Sequence, residues 1–196
     1  MNDAKMPMSL AEAIASRQSI RSYEPDHLDR DTINALLDAA VRAPNAVHEE
    51  QWGFAVVQGR STLKRLSDLA KQAVSEQEVS AHLALSPSRQ KFAEPDFNVF
   101  YNAATLIVIC ATSQAPFAPA DCWLAAENLM LSACAMGLGT CVIGSAVFGL
   151  NSPTARLLLG IPVGAIVVAP IIIGVSDDTT PPTKRTDPLI FSWFDE

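Results

Sequence analysis

The sequence has 196 residues, 49% of them hydrophobic and 18% charged, which suits a single domain over residues 1–196 with a full hydrophobic core. Its formal net charge of -7 argues against nucleic acid as a partner, because phosphate backbones select for clustered positive charge. The N-terminus lacks an apolar signal core and the longest apolar runs are too short to span a membrane, so we expect a cytoplasmic protein without a membrane partner.

A capping box opens the first predicted helix. Ser9 suits the N-cap and Glu12 can reach back to the backbone of Ser9, which predicts a helix over about residues 10–16. A second helix should begin near Asp29 and continue to Ala43, because the proline that follows disfavours helical backbone.

Two guanidiniums and a hydroxyl stand at every second position directly behind the first helix. They belong to residues 17–21, Arg17-Gln18-Ser19-Ile20-Arg21, which we call the clamp segment. In extended backbone, residues two apart project to the same side, so the two arginines and the serine could converge on one anion. From spacing alone, a solvated basic loop remains an equal alternative.

Apolar runs and turn residues predict the remaining elements. These are a strand over residues 52–58, a helix over 61–74, a strand over 105–111, a helix over about 120–136, a helix over 153–159 and a strand over 165–175. Pro170 cannot donate a ladder hydrogen bond, so it indicates a sheet edge or a bulge in the last strand.

Three segments bear on assembly and access. The helix at 120–136 is apolar on nearly every face, so it should be buried in the domain centre or against a second subunit. Residues 75–98 are polar and irregular, which is typical of a lid or excursion. The tail over 177–196 ends in an apolar cluster that a disordered segment would not carry, so it should pack on a partner subunit.

Metal and thiol chemistry have little support in the sequence. The cysteines at 110, 122, 134 and 141 lack the paired spacing of a zinc site and read as structural thiols. The three histidines are scattered, so no metal is expected. No side-chain nucleophile with a base partner emerges either, so we name no catalytic residue.

The chain resembles the FMN-dependent nitroreductase family from about residue 9 to the C-terminus. The resemblance is carried by four segments in order: Arg17-Gln18-Ser19-Ile20-Arg21-Ser22-Tyr23; Ala43-Pro44-Asn45 followed by Gln51-Trp52-Gly53-Phe54; Gly137-Leu138-Gly139-Thr140-Cys141-Val142-Ile143-Gly144; and Ile172-Ile173-Gly174 ahead of Lys184-Arg185. Each segment alone is a weak signal, but their order and spacing together are specific.

The resemblance implies an α+β fold with a central, mostly antiparallel sheet flanked by helices. It also implies an intertwined homodimer with exchanged C-terminal extensions, and an FMN at the dimer interface built from both chains. The cofactor-binding residues carried over are Arg17, Gln18, Ser19, Arg21, Asn45, His48, Val142, Ile143, Gly144 and Arg185.

The resemblance also implies a division of labour among these residues. Arg17 and Ser19 would hold the FMN phosphate and ribityl chain, with Arg185 completing the phosphate site. Arg21 would lie near the pyrimidine edge, where a cation stabilises the reduced anionic flavin. A backbone N–H of residues 141–144 would donate to flavin N5, and Asn45 would reach the flavin of the other subunit.

One loop departs from the family pattern. His48, Glu50 and Gln51 stand where the family commonly has Asn, Gln and Pro. His48 would either bind the flavin or be a partly buried structural residue. Glu49 and Glu50 place acidic charge beside the nucleotide pocket, so we expect them to disfavour NADPH relative to NADH.

The function implied by the resemblance is an FMN-dependent oxidoreductase. NAD(P)H would reduce the flavin by hydride transfer, and the flavin would then reduce a nitroaromatic, a quinone or a similar small-molecule electron acceptor in a ping-pong cycle. Two alternatives stay open: other flavin chemistry on the same fold, such as dehalogenation, dehydrogenation or flavin fragmentation, and a non-catalytic FMN-binding protein.

Overall fold

The computed structural model describes residues 8–76, 94–178, 181 and 184–195, so most of the segment predicted as a lid lies outside the described residues. The elements in chain order are α1 Leu10–Ser16, α2 Arg30–Ala40, β1 Trp52–Val57, α3 Arg60–Glu76, β2 Thr105–Ala111, α4 Ala118–Ala135, β3 Leu138–Val142, α5 Val147–Leu150, α6 Pro153–Leu159 and β4 Ile166–Val175. Single 3₁₀ turns at Ala46–His48 and Gly144–Ala146 follow α2 and β3.

The four strands form one antiparallel sheet in the order β1–β2–β4–β3. All of β2 is buried, and its side chains alternate between two core clusters. Leu106 and Val108 pack with α3 on one face, whereas Ile107 and Ile109 pack with α2 and α4 on the other. Because helices cover both faces, the central strands read as continuous apolar runs. The α+β fold with a central antiparallel sheet is confirmed.

The predicted caps open three helices. Ser9 and Glu12 form the complete capping box of α1, and Asp29 accepts a hydrogen bond from the backbone of Thr32 at the start of α2. Ser152 caps α6 in the same way. Helix α2 ends at Ala40, earlier than predicted. Val41 donates the last i→i−4 hydrogen bond, and the N–H groups of Arg42 and Ala43 donate to carbonyls three residues back, as in a 3₁₀ turn.

Pro170 lies inside the sheet, in the central strand β4, so of the two predicted alternatives the bulge is confirmed and the sheet edge is not. The register of β2 against β4 shifts between Ile109 and Cys110, which places the bulge close to the proline. The Pro170 carbonyl accepts from the N–H of Ile143 at 2.8 Å, where β3 has just ended. Proline cannot donate the reciprocal bond, and the ladder between β3 and β4 stops at this point.

Helix α4 is buried on one side only in the single chain. Eight of its residues are buried, but Trp123 and Leu124 are each 45% exposed, so the domain centre does not cover the whole helix, and its burial against a second subunit stays a prediction. The apolar tail side chains are also exposed, from 58% at Ile190 to 93% at Phe191. Among the described residues, no helix is both long and apolar enough to cross a membrane.

The clamp segment is attached to the free edge of β3. Ser19 forms a parallel bridge with Thr140, and the N–H of Ile20 donates to the Thr140 carbonyl at 2.9 Å. The Ile20 side chain is buried directly over Gly139, where an added Cβ would lie 2.8 Å from the nearest Ile20 carbon. Glycine at this position is therefore what allows the clamp segment to approach the strand.

Replacing Gly139 by alanine should lower the free energy of unfolding by about 1–3 kcal/mol, because Ile20 and the clamp segment must move away from β3. Chemical denaturation of the protein without added ligand measures this. Gly144→Ala is the matched control, since a Cβ there would meet nothing within 4 Å and should change stability by less than about 0.5 kcal/mol. Equal stabilities of the two variants would contradict the close approach.

Candidate functional site

The thiol of Cys141 in β3 is buried within electrostatic range of the clamp segment. Burial raises the pKa of this thiol, while the charge of Arg21, a hydrogen bond from Ser19 and the charge of Arg17 act in the opposite direction. The Ile20 side chain turns inward and is 6% exposed, whereas Ser19 and Arg21 are exposed and Arg17 is half-buried. The convergence of positions 17, 19 and 21 on one anion stays a prediction.

The clamp segment is braced from below by Tyr23. Its hydroxyl donates to the Ile20 carbonyl at 2.6 Å, and its ring lies against Gly174 in β4. Burial raises the pKa of this phenol, so it stays neutral and acts as a donor. Because Tyr23 also forms an antiparallel bridge with Ser176, the chain on both sides of Arg21 is tied to the sheet.

The clamp arginines have no carboxylate partner among the described residues. The ion pair found among the described residues joins Lys64 and Asp68, and none involves Arg17 or Arg21. In a chain of net charge -7, two guanidiniums without carboxylate partners fit an anionic ligand. Arg17 also lines a cleft of about 200 Å³ between the end of α1 and the start of β3, and Gln18 lines the same cleft.

The end of β3 offers an open surface beside the clamp segment. Val142 is half-buried and Ile143 is 4% exposed, but Gly144 is exposed, and a Cβ added there would meet nothing within 4 Å. The N–H of Ile143 already donates to the Pro170 carbonyl. A flat group could therefore lie against Gly144, and the N–H groups left to meet it belong to Gly144 and Ser145.

A second loop, residues 45–50, is held by polar contacts within the loop and to α4. The Asn45 side-chain oxygen accepts from the N–H of Glu50 at 3.2 Å, and both Asp121 carboxylate oxygens lie 3.2 Å from the N–H of Ala46. His48 and Glu50 have left-handed backbone, with φ of 57° and 47°. The loop is thus fixed in a conformation that non-glycine residues rarely adopt.

Asp121 is a site-supporting residue that the sequence did not reveal. It is 5% exposed and lies in the first turn of α4. An acidic side chain in the first turn of a helix ordinarily lies at the surface, where the positive end of the helix dipole stabilises it. Its burial against Ala46 depends on tertiary packing between α4 and the 45–50 loop. Nothing in the local pattern around residue 121 carries that information.

Two sequence assignments look different in the structure. His48 is exposed, so its interpretation as a partly buried structural residue was wrong. Arg185 lies in the exposed terminal segment, and within the described residues no hydrogen bond or ion pair joins it to Arg17 or Ser19. Its place in the phosphate site stays a prediction.

The buried cysteines are poorly suited to nucleophilic catalysis. Burial raises the pKa of Cys110 to about 11 and that of Cys122 to about 12, and it also raises the pKa of Cys141. Their thiols are protonated at neutral pH, and the thiolate is the reactive form. These three thiols are therefore not candidate nucleophiles, and the described residues instead offer the clamp donors and the open surface at Gly144.

Comparisons with known proteins identify relatives of the whole fold. A protein from Archaeoglobus fulgidus named "Putative NADH dehydrogenase/NAD(P)H nitroreductase" is 29% identical over 170 residues, which cover 84% of each chain. A nitroreductase from Bacteroides fragilis with bound FMN is 26% identical with a TM-score of 0.82, covering 96% of this chain and all of that one. A nitroreductase from Desulfitobacterium hafniense with bound FMN has a TM-score of 0.79 at 20% identity, covering 91% and 95%.

The sequence model of the Nitroreductase family matches residues 14–175, a span that includes the clamp segment, the 45–50 loop and the end of β3. The match covers well over half of the 196 residues. The chain belongs to the nitroreductase family.

Proposed function

We propose that this protein is an FMN-dependent oxidoreductase that uses NAD(P)H and works as a homodimer. The observation that carries the proposal is the clamp segment, which pairs with β3 near the open surface at Gly144 and whose two guanidiniums form no ion pair within the described residues. A phosphate needs several fixed donors, and a flavin ring needs a flat, uncrowded wall. The crystallised relatives from Bacteroides fragilis and Desulfitobacterium hafniense contain FMN, which supports the same ligand here.

Each residue has a defined task in this proposal. Arg17 and Ser19 hold the phosphate end together with Arg185, and Arg21 places positive charge at the pyrimidine edge. The N–H of Gly144 is the donor to flavin N5, since that of Ile143 is already used. When bound, FMN supplies the redox chemistry, accepting a hydride from NAD(P)H and passing electrons to a nitroaromatic, quinone or similar acceptor.

Exposed apolar surface supports the homodimer. Trp123 and Leu124 leave one face of α4 uncovered, and the tail carries further exposed aromatic side chains, among them Phe191 and Trp193. A second copy would cover both surfaces, with each tail crossing to the other subunit. The 45–50 loop then contributes Asn45 and His48 to the partner's flavin.

Reduction and reoxidation of the bound flavin test the function directly. The purified protein should take up FMN, its flavin absorbance should be lost anaerobically with NADH or NADPH, and a nitroaromatic or quinone should restore it. A colourless protein that takes up no FMN would refute the proposal. If the protein takes up FMN but neither nucleotide reduces it, the protein binds FMN without turnover.

Arg17→Ala should weaken FMN binding about 10- to 100-fold, because it removes a charge-assisted hydrogen bond to the phosphate. Titration of FMN-free protein with FMN gives the dissociation constant. Arg65→Ala removes an equal charge from an exposed position of α3 and should leave the constant unchanged. If both variants weaken binding equally, only the net charge matters and the clamp assignment fails.

Gly144→Ala should weaken FMN binding about tenfold or more, because the added methyl occupies the space assigned to the flavin ring. Stability without FMN should not change, since the free chain has room for this methyl. Ser145→Ala is the matched control, as it adds no atom and keeps the backbone N–H. Unchanged FMN affinity of Gly144→Ala would place the flavin elsewhere.

The double variant Glu49→Gln, Glu50→Gln should raise the ratio of kcat/KM for NADPH to that for NADH about two- to tenfold, because two exposed carboxylates no longer repel the extra phosphate. Gln51 donates to Glu49 and accepts from Ser113, and glutamine at 49 keeps that acceptor. Asp31→Asn, Asp38→Asn removes the same charge from α2 as a control. Equal preference in both double variants would contradict the assignment.

A further inference from the structure

The guanidinium of Arg21 lies over the aromatic ring of Tyr101, which is not among the predicted site residues. Its central carbon is 5.7 Å from the centroid of the Tyr101 ring, within the range of a cation–π contact. Arg21 itself is exposed and forms no ion pair within the described part of the chain. Contact with this ring therefore restricts the positions that the flexible Arg21 guanidinium can occupy.

Tyr101 is itself fixed from several directions. Its ring meets Phe97 edge-on, with centroids 5.5 Å apart and an interplanar angle of 87°. Its N–H donates to the Asn98 carbonyl at 2.9 Å, and the Phe97 carbonyl accepts from the Lys71 ammonium at 3.2 Å. The ring is thus a supported surface rather than a mobile side chain.

The backbone at Tyr101 is strained. Tyr101 and Asn102 have φ of 51° and 56°, two consecutive non-glycine residues in the left-handed region. Asparagine tolerates this conformation, but a bulky aromatic residue rarely adopts it. The fully buried Phe100 precedes the pair and β2 follows shortly after, so packing on both sides holds the turn that directs the Tyr101 ring toward Arg21.

We propose that Tyr101 is a positioning residue that holds the Arg21 guanidinium at the pyrimidine edge of the cofactor and so raises the reduction potential of bound FMN. The proposal rests on the proposed function, because it assigns a ligand to the charge that Tyr101 positions. An exposed arginine samples many rotamers, and a cation–π contact at such a site favours one region about two- to fivefold. A cation held in place stabilises the reduced, anionic flavin more than the oxidised one.

The test compares the affinities of each variant for oxidised and reduced FMN, which together give the reduction potential of the bound cofactor. Tyr101→Leu should lower the preference for reduced FMN about threefold, equivalent to about 14 mV for a two-electron couple. Tyr101→Phe keeps the ring and should retain the wild-type potential. In the Arg21→Ala background, which itself lowers the potential, Tyr101→Leu should have no further effect.

A merely structural role of Tyr101 predicts a different pattern. Loss of packing would weaken oxidised and reduced FMN alike and leave the potential unchanged, and it would act equally with or without Arg21. Either of those results overturns the proposal. If Tyr101→Leu does not fold, replacement of Tyr101 by phenylalanine and by 3,4,5-trifluorophenylalanine keeps the shape while weakening the negative ring face, and equal potentials of these two proteins overturn it.

A measurement without FMN separates this inference from the proposed function. In the FMN-free protein, the Arg21 side-chain protons should show an upfield ring-current shift by NMR that Tyr101→Leu abolishes. A shifted Arg21 in a protein that takes up no FMN defeats the proposed function although the contact exists. Normal FMN uptake with a potential insensitive to Tyr101→Leu defeats the positioning role alone.

Discussion

The pairing of the clamp segment with the free edge of β3 is the interaction on which the rest of the site depends. The bond from the Ile20 N–H to the Thr140 carbonyl brings the donors that follow α1 next to the open surface that follows β3. These pieces are more than 100 residues apart in sequence, and only sheet geometry fixes their separation. The same pairing covers an edge strand that would otherwise expose unpaired backbone groups.

Charge distribution then decides what the site can hold. The protein is acidic overall, yet no carboxylate in the described residues forms an ion pair with Arg17 or Arg21. Exposed guanidiniums cost little to leave unpaired, since water solvates them until a ligand arrives. The backbone that carries these side chains is already hydrogen-bonded to β3 and β4. Binding of an anion therefore costs less conformational entropy.

Local sequence patterns predicted the features that depend on contacts between residues close in sequence. The caps at Ser9, Asp29 and Ser152 satisfy helix ends by contacts three residues apart, so sequence places those helices to within a few residues. Asp121 and Tyr101 escaped because their roles arise from packing of distant elements. Pro170 indicated an edge or a bulge, and tertiary pairing decides for the bulge.

Backbone strain coincides with two segments of the candidate site. Among the described residues, the non-glycine positions with left-handed backbone are His48, Glu50, Tyr101 and Asn102. They fall in only two places, the 45–50 loop and the turn that faces Arg21. Strain of this kind costs about 1–3 kcal/mol per residue and persists only where surrounding structure enforces it. Glycine would relieve the strain at each position but would remove the side chain. The four residues therefore indicate positions where the placement of a side chain matters more than the stability lost to strain.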